Sequence, residues 1–152
     1  MSRRSLAALA VVSVGVIAFA GAGEAAPTPK PPITGSYSVG PLLPFPNATW
    51  GQPCQDATLP PSQDLHPVTL PAVGVLKVVV TGFQGDWDAA IVNAAGKHVA
   101  ASNNASQTPP TGVNIDETIT FKVKVPGKYS ILSCNFLGTP LATVNYTFTY
   151  AK

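Results

Sequence analysis

Ala142-Thr143-Val144-Asn145-Tyr146-Thr147-Phe148-Thr149-Tyr150 puts an apolar or aromatic residue at every second position and Thr or Asn between them. Successive side chains of a strand point to opposite faces, so the apolar set shares one face and the polar set the other. This is the pattern of a half-buried antiparallel strand with a solvated side. The preceding segment repeats it: Ile119, Phe121, Val123 and Val125 alternate with Thr118, Thr120, Lys122 and Lys124. Further upstream, Val68 and Leu70, then Leu76, Val78 and Val80, then Ala89 and Ile91, then Val99 and Ala101 are expected on one side. Turn chemistry separates these runs at Pro71-Ala72-Val73-Gly74, Asn93-Ala94-Ala95-Gly96, Asn103-Asn104, Pro109-Pro110 and Pro126-Gly127. Helical spacing is missing after the N-terminal leader. Seven to eight short strands divided by turns predict an all-β, antiparallel sandwich of jelly-roll type.

The run Gly82-Phe83-Gln84-Gly85-Asp86-Trp87-Asp88-Ala89-Ala90-Ile91-Val92 joins a glycine-bounded turn to an apolar strand. Period two sets Trp87, Ala89 and Ile91 on the core face and Asp86 and Asp88 on the other, read here as wet. Calcium takes six to eight oxygen ligands, several of them carboxylates. Asp86 and Asp88, with the oxygen donors of Ser102-Asn103-Asn104 downstream, are therefore weak calcium candidates. The plainer reading is that Asp86 caps the turn and Asp88 is solvated.

Residues 1–25 read as a cleaved secretory signal peptide: Arg3 and Arg4 form a positive start, Leu6 to Ala20 an apolar run, and small residues permit cleavage after Ala22 or Ala25. The run is shorter than the roughly 20 residues a membrane span needs. Residues 26–35 are a proline-rich linker, and 36–152 form one domain whose opening segment, 36–63, is irregular. Phe45 and Trp50 are the expected anchors of that segment, and Trp50 and Phe83 are candidate binding-surface residues. Cys54 and Cys134 are the two cysteines of an exported chain, so they are expected to pair. Asn47, Asn104 and Asn145 head Asn-x-Ser/Thr sequons.

Without the leader the chain holds seven lysines, no arginine, and a nearly equal number of acidic residues. Such a balance argues against nucleic acid and against anionic membrane surfaces as partners. Catalytic material is sparse. A serine hydrolase needs a nucleophile, an imidazole base and an orienting acid; His66 and His98 are the available bases, each in a predicted strand among surface-like neighbours, and no Gly-x-Ser-x-Gly elbow occurs. Asp86, Asp88, Asp116 and Glu117 sit as close sequence neighbours in pairs, unlike carboxylates that flank a sugar from two sides.

The order Asp64-x-His66, Pro71-Ala72-x-Gly74-x-Leu76, Gly85-Asp86-Trp87-Asp88, Asn93-x-x-Gly96-Lys97 and Pro126-Gly127-Lys128-Tyr129 resembles the bacterial pre-peptidase C-terminal domain, a secreted jelly-roll module. The resemblance spans about Asp64 to Tyr150. It departs at Ala89-Ala90-Ile91, where that family has Leu-Tyr-Leu. It implies an accessory or binding role, and calcium near the paired aspartates in some relatives. Pro126 to Cys134 is similar to the copper-ligand strand of the cupredoxins, yet neither His nor Met follows Cys134 and the sole methionine is Met1, so a His₂Cys site with axial Met has no ligands here. His66 and His98 read as polar strand residues before they read as zinc ligands. The expected function is a secreted, non-enzymatic extracellular binding or accessory module, with a cell-wall glycan or a protein as partner and no membrane insertion after cleavage. A ligand-free structural protein of the cell exterior and a small secreted hydrolase are the alternatives.

Overall fold

Strands form where the alternation requires them. The structure, a computed structural model, describes residues 28–44, 54, 61–102 and 116–152. Its elements are β1 (Ile33–Val39), β2 (Gln63–Leu70), β3 (Gly74–Thr81), β4 (Gly85–Asn93), β5 (His98–Ser102), β6 (Glu117–Val123), β7 (Gly127–Gly138) and β8 (Ala142–Tyr150). They make two four-stranded sheets in the orders β1-β8-β3-β6 and β2-β7-β4-β5, every pairing antiparallel. That order is the two-Greek-key wiring of a jelly roll. No helix occurs among the described residues.

The inward faces fill the core with Val68, Leu70, Leu76, Val78, Val80, Trp87, Ala89, Ile91, Ile119, Val123, Ile131, Val144 and Phe148. Trp87 is fully buried, stacks on Phe83 with ring centroids 5.9 Å apart, and donates its indole N–H to the Thr139 carbonyl at 3.1 Å. The indole thus contributes apolar area while its one polar atom is satisfied. A second buried cluster, Cys54, Ala90, Val92, Leu132 and Cys134, lies on the outer face of the β4–β7 pair. Both faces of these strands are dry. The Cys54–Cys134 disulfide fastens Cys54 to that face, with Cα atoms 5.6 Å apart and 80 residues of separation. Asn135 adds polar ties: its side-chain amide donates to the Leu42 carbonyl at 3.0 Å, and its backbone N–H to the Ser62 carbonyl at 2.9 Å.

Four expectations change. β1 starts at Ile33 and β2 at Gln63, so pairing with β8 and β7 takes residues from both the linker and the irregular segment. Ala101 is exposed rather than inward. Ile91 pairs with Ala100 and Val92 with His98, so Val99 is the extra residue of a bulge; Val99 and Ala100 pack on the core, and the parity flips at Ala101. Val125 lies beyond the end of β6 and is 67% exposed. Phe83 is 3% exposed, so it serves as Trp87's packing partner and not as a binding surface. Phe45 and Trp50, the Asn47 and Asn104 sequons and the leader lie outside the described residues; Asn145 is exposed on β8.

Closing an 80-residue separation removes unfolded-state entropy, worth about 4.5 kcal/mol in the chain-entropy model. Cys54→Ser/Cys134→Ser is expected to lose a few kcal/mol in denaturant unfolding and to raise the accessibility of Asp88 to solvent.

Candidate functional site

The wiring sorts the charges. The short connections β3–β4 and β7–β8 lie at one end of the sandwich, and β2–β3, β4–β5 and β6–β7 at the other. Among the described residues every acidic side chain, Asp64, Asp86, Asp88, Asp116 and Glu117, falls at or beside a strand start on the first end. Lys30, Lys97, Lys122, Lys124, Lys128 and Lys152 fall on the second, and Lys77 sits midway along β3. Among the described residues, the near-neutral sum expected from composition therefore conceals an end-to-end separation of acidic and basic side chains.

At the acidic end, the turn before β4 is held by Thr139, whose Oγ1 accepts from the Gln84 N–H at 2.9 Å while its own N–H donates to the Gln84 carbonyl at 2.7 Å. Gly85 has φ 101°, and a Cβ there would overlap the Leu137 carbonyl, so only glycine admits this approach. Asp88 is not on a wet face, as the sequence pattern suggested: it is 8% exposed and pairs across the strands with Cys134, the residue cross-linked to Cys54. Burial, then the Asp86 carboxylate, then that of Glu117 push its carboxyl up to about 7. Glu117 is fully buried and accepts a hydrogen bond from the Ser102 hydroxyl across the sandwich. Among the described residues no three His, Cys, Asp or Glu side chains converge as a metal-holding group; Asn103 and Asn104 lie outside them.

His66 is not among surface-like neighbours. It faces inward from β2 and stacks on Tyr37 of β1, with centroids 3.8 Å apart and planes at 16°, and Tyr146 tilts over it at 6.5 Å. Tyr146 fills the space over its cross-strand partner Gly35, where a Cβ would collide with the ring. These aromatics close the seam between the edge strands β1 and β2. Burial, then the Asp64 carboxylate, raise the Tyr37 phenol well above its ordinary range. The buried Ser133 hydroxyl beside the phenol acts against that rise. His98, at the start of β5, is part-exposed.

The basic end carries an open groove of about 650 Å³ between the β4–β5 and β6–β7 turns. Val99, Phe121 and Tyr129 are among its apolar lining residues, and Lys122, Lys124 and Lys128 its charged ones; no acidic residue lines it. Phe121 meets Tyr129 edge-on at 5.6 Å, and the Tyr129 hydroxyl donates to the Val125 carbonyl at 2.6 Å. The opposite wall is equally fixed. Asn93 Oδ1 accepts from the N–H groups of Ala95 and Lys97, each at 3.0 Å, and Gly96 takes φ 76°. None of these residues was singled out from the sequence as a site, although Lys122-x-Lys124 and Lys128 bracketing a Pro-Gly turn is the signal that points to it. The chain matches no protein-family model and no curated protein. No helix among the described residues is long and apolar enough to cross a membrane.

The raised Asp88 carboxyl has a signed consequence. Its ordinary value is 3.8 and the folded value about 7, so the folded state holds the proton more tightly. The associated stability is full at low pH and is lost as pH rises from about 4 to about 7, by up to about 4 kcal/mol. Asp88→Asn, uncharged and of similar size, is expected to abolish that decline and to exceed the parent in thermal midpoint at pH 8. Millimolar calcium at pH 8 is expected to leave the parent's midpoint unchanged; a rise reversed by chelator and lost in Asp86→Asn/Asp88→Asn would instead establish a calcium site.

Proposed function

We propose that this chain is a secreted, non-enzymatic extracellular binding or accessory module whose contact face is the basic end of the sandwich. The observation that carries this reading is the lysine-rimmed groove of preformed geometry, at the end opposite every described acidic side chain. Binding sites are typically concave, mostly apolar and edged by a few polar groups. Export is supported by the leader pattern of residues 1–25 and by the disulfide, which persists in oxidising compartments. The likeness to pre-peptidase C-terminal domains supports an accessory role, and eight strands in jelly-roll order are compatible with it. The stacking of His66 on Tyr37 gives the imidazole a packing role and supports a non-catalytic reading.

Purified disulfide-bonded protein is expected to be retained saturably on isolated cell-envelope material at low salt and released at high salt. Exposed lysine contacts contribute about 0.5 kcal/mol each, so Lys122→Gln/Lys124→Gln/Lys128→Gln should weaken retention about tenfold, while Asp116→Asn at the opposite end leaves it unchanged. No retention would favour the ligand-free structural reading. Release of soluble product that His66→Ala or His98→Ala abolishes would identify a hydrolase.

A further inference from the structure

We infer that the groove at the basic end takes a small amphipathic anion: a single acidic head, such as a carboxylate or sulfonate, on a flat or acyl apolar body. This deepens the binding-module reading and rests on it. The floor selects the body. Phe121 and Tyr129 present an aromatic edge-to-face pair held in place by the Tyr129–Val125 hydrogen bond, and Val99 extends that surface from the bulge of β5. A ligand entering there displaces water from surface that cannot hydrogen-bond with it. The rim selects the head. Lys122, Lys124 and Lys128 line the groove with no carboxylate among the lining residues, so their field is not neutralised locally and favours an anion. A lysine's long stem lets an ammonium at the groove edge reach an acidic head while the body of the ligand rests on the floor.

A bare anion would leave the aromatic floor unused, and a neutral apolar molecule would leave the lysines unused. Size points the same way: about 650 Å³ lies within the roughly 300–1,000 Å³ range of small-ligand sites. The rigid Asn93 turn on one side and the Pro126-Gly127 turn on the other mean that the groove needs no rearrangement to accept its occupant.

The test compares 2-naphthalenesulfonate with the neutral 2-naphthylmethanol and with inorganic sulfate, by calorimetry and amide chemical shifts on the disulfide-bonded protein at low salt. The sulfonate is expected to bind one site at least tenfold more tightly than either control, with shifts confined to Asn93–Lys97 and Phe121–Tyr129. Val125→Asp, a change at an exposed groove residue that leaves the core intact, should reduce sulfonate binding about tenfold without altering the thermal midpoint. Equal binding of the alcohol or of sulfate, shifts elsewhere, or indifference to Val125→Asp would overturn the inference. Sulfonate binding by a protein that cell-envelope material does not retain would uphold this ligand class while failing the envelope-directed reading.

Discussion

Burial of β4 and β7 on both faces is the constraint from which the remaining features follow. Most strands of this sandwich are dry on one side only, but Ala90, Val92, Leu132 and Cys134 form a second core with Cys54. Cys54 adds to that outer cluster, and the disulfide limits how far the unfolded chain can separate it from β7. Asp88 is a consequence. It occupies a position that would be solvated in a one-layer strand and instead sits under cover, near Asp86 and Glu117, with its carboxyl shifted towards neutrality. Its burial is compatible with the fold at neutral pH because protonation offers a cheaper state than an isolated buried charge.

The jelly-roll wiring has an electrostatic outcome that no single strand specifies. Antiparallel order returns the chain to alternate ends, so residues early in β2, β4 and β6 meet at one end, while the turns after β4 and β6 meet at the other. Acidic side chains open β2, β4 and β6, whereas lysines lie before β1 and β5, at the start of β7, and at or just after the ends of β6 and β8. A molecule of low net charge thereby presents a basic end to which an anion is attracted and an acidic end from which it is repelled. Net charge argues about solubility and bulk partners, but local field decides where a ligand goes, and the composition-based case against anionic partners does not extend to the groove.

Much of the fold was legible before any coordinates. The alternation at 118–123 and 142–150, the anchoring role of Trp87, the Cys54–Cys134 pair and the all-β class follow from residue types and spacing, because each depends on local period or on a count of two cysteines. The errors share a cause: period two describes a strand in isolation. It could not register the bulge that turns Ala101 outward, the early end of β6 that releases Val125, or the second layer that buries Asp88. Phe83 lay in a turn and looked available for contact, yet the turn folds back onto Trp87.

The site divides along the same line. By itself the sequence determined that side chains alternate, that a secretory-type leader pattern precedes a sandwich-forming segment, and that catalytic side chains are few, since these are properties of neighbouring residues. Only the tertiary structure decided that Lys122, Lys124 and Lys128 share a rim with Phe121, Tyr129 and the Asn93 turn, and that His66 stacks on Tyr37 from a strand almost thirty residues away. The physical reason is that recognition depends on groups meeting across strands and across sheets. In a jelly roll nearly all such meetings are between residues distant in the chain, whose encounter is set by the order of strands and not by the pattern within any one of them.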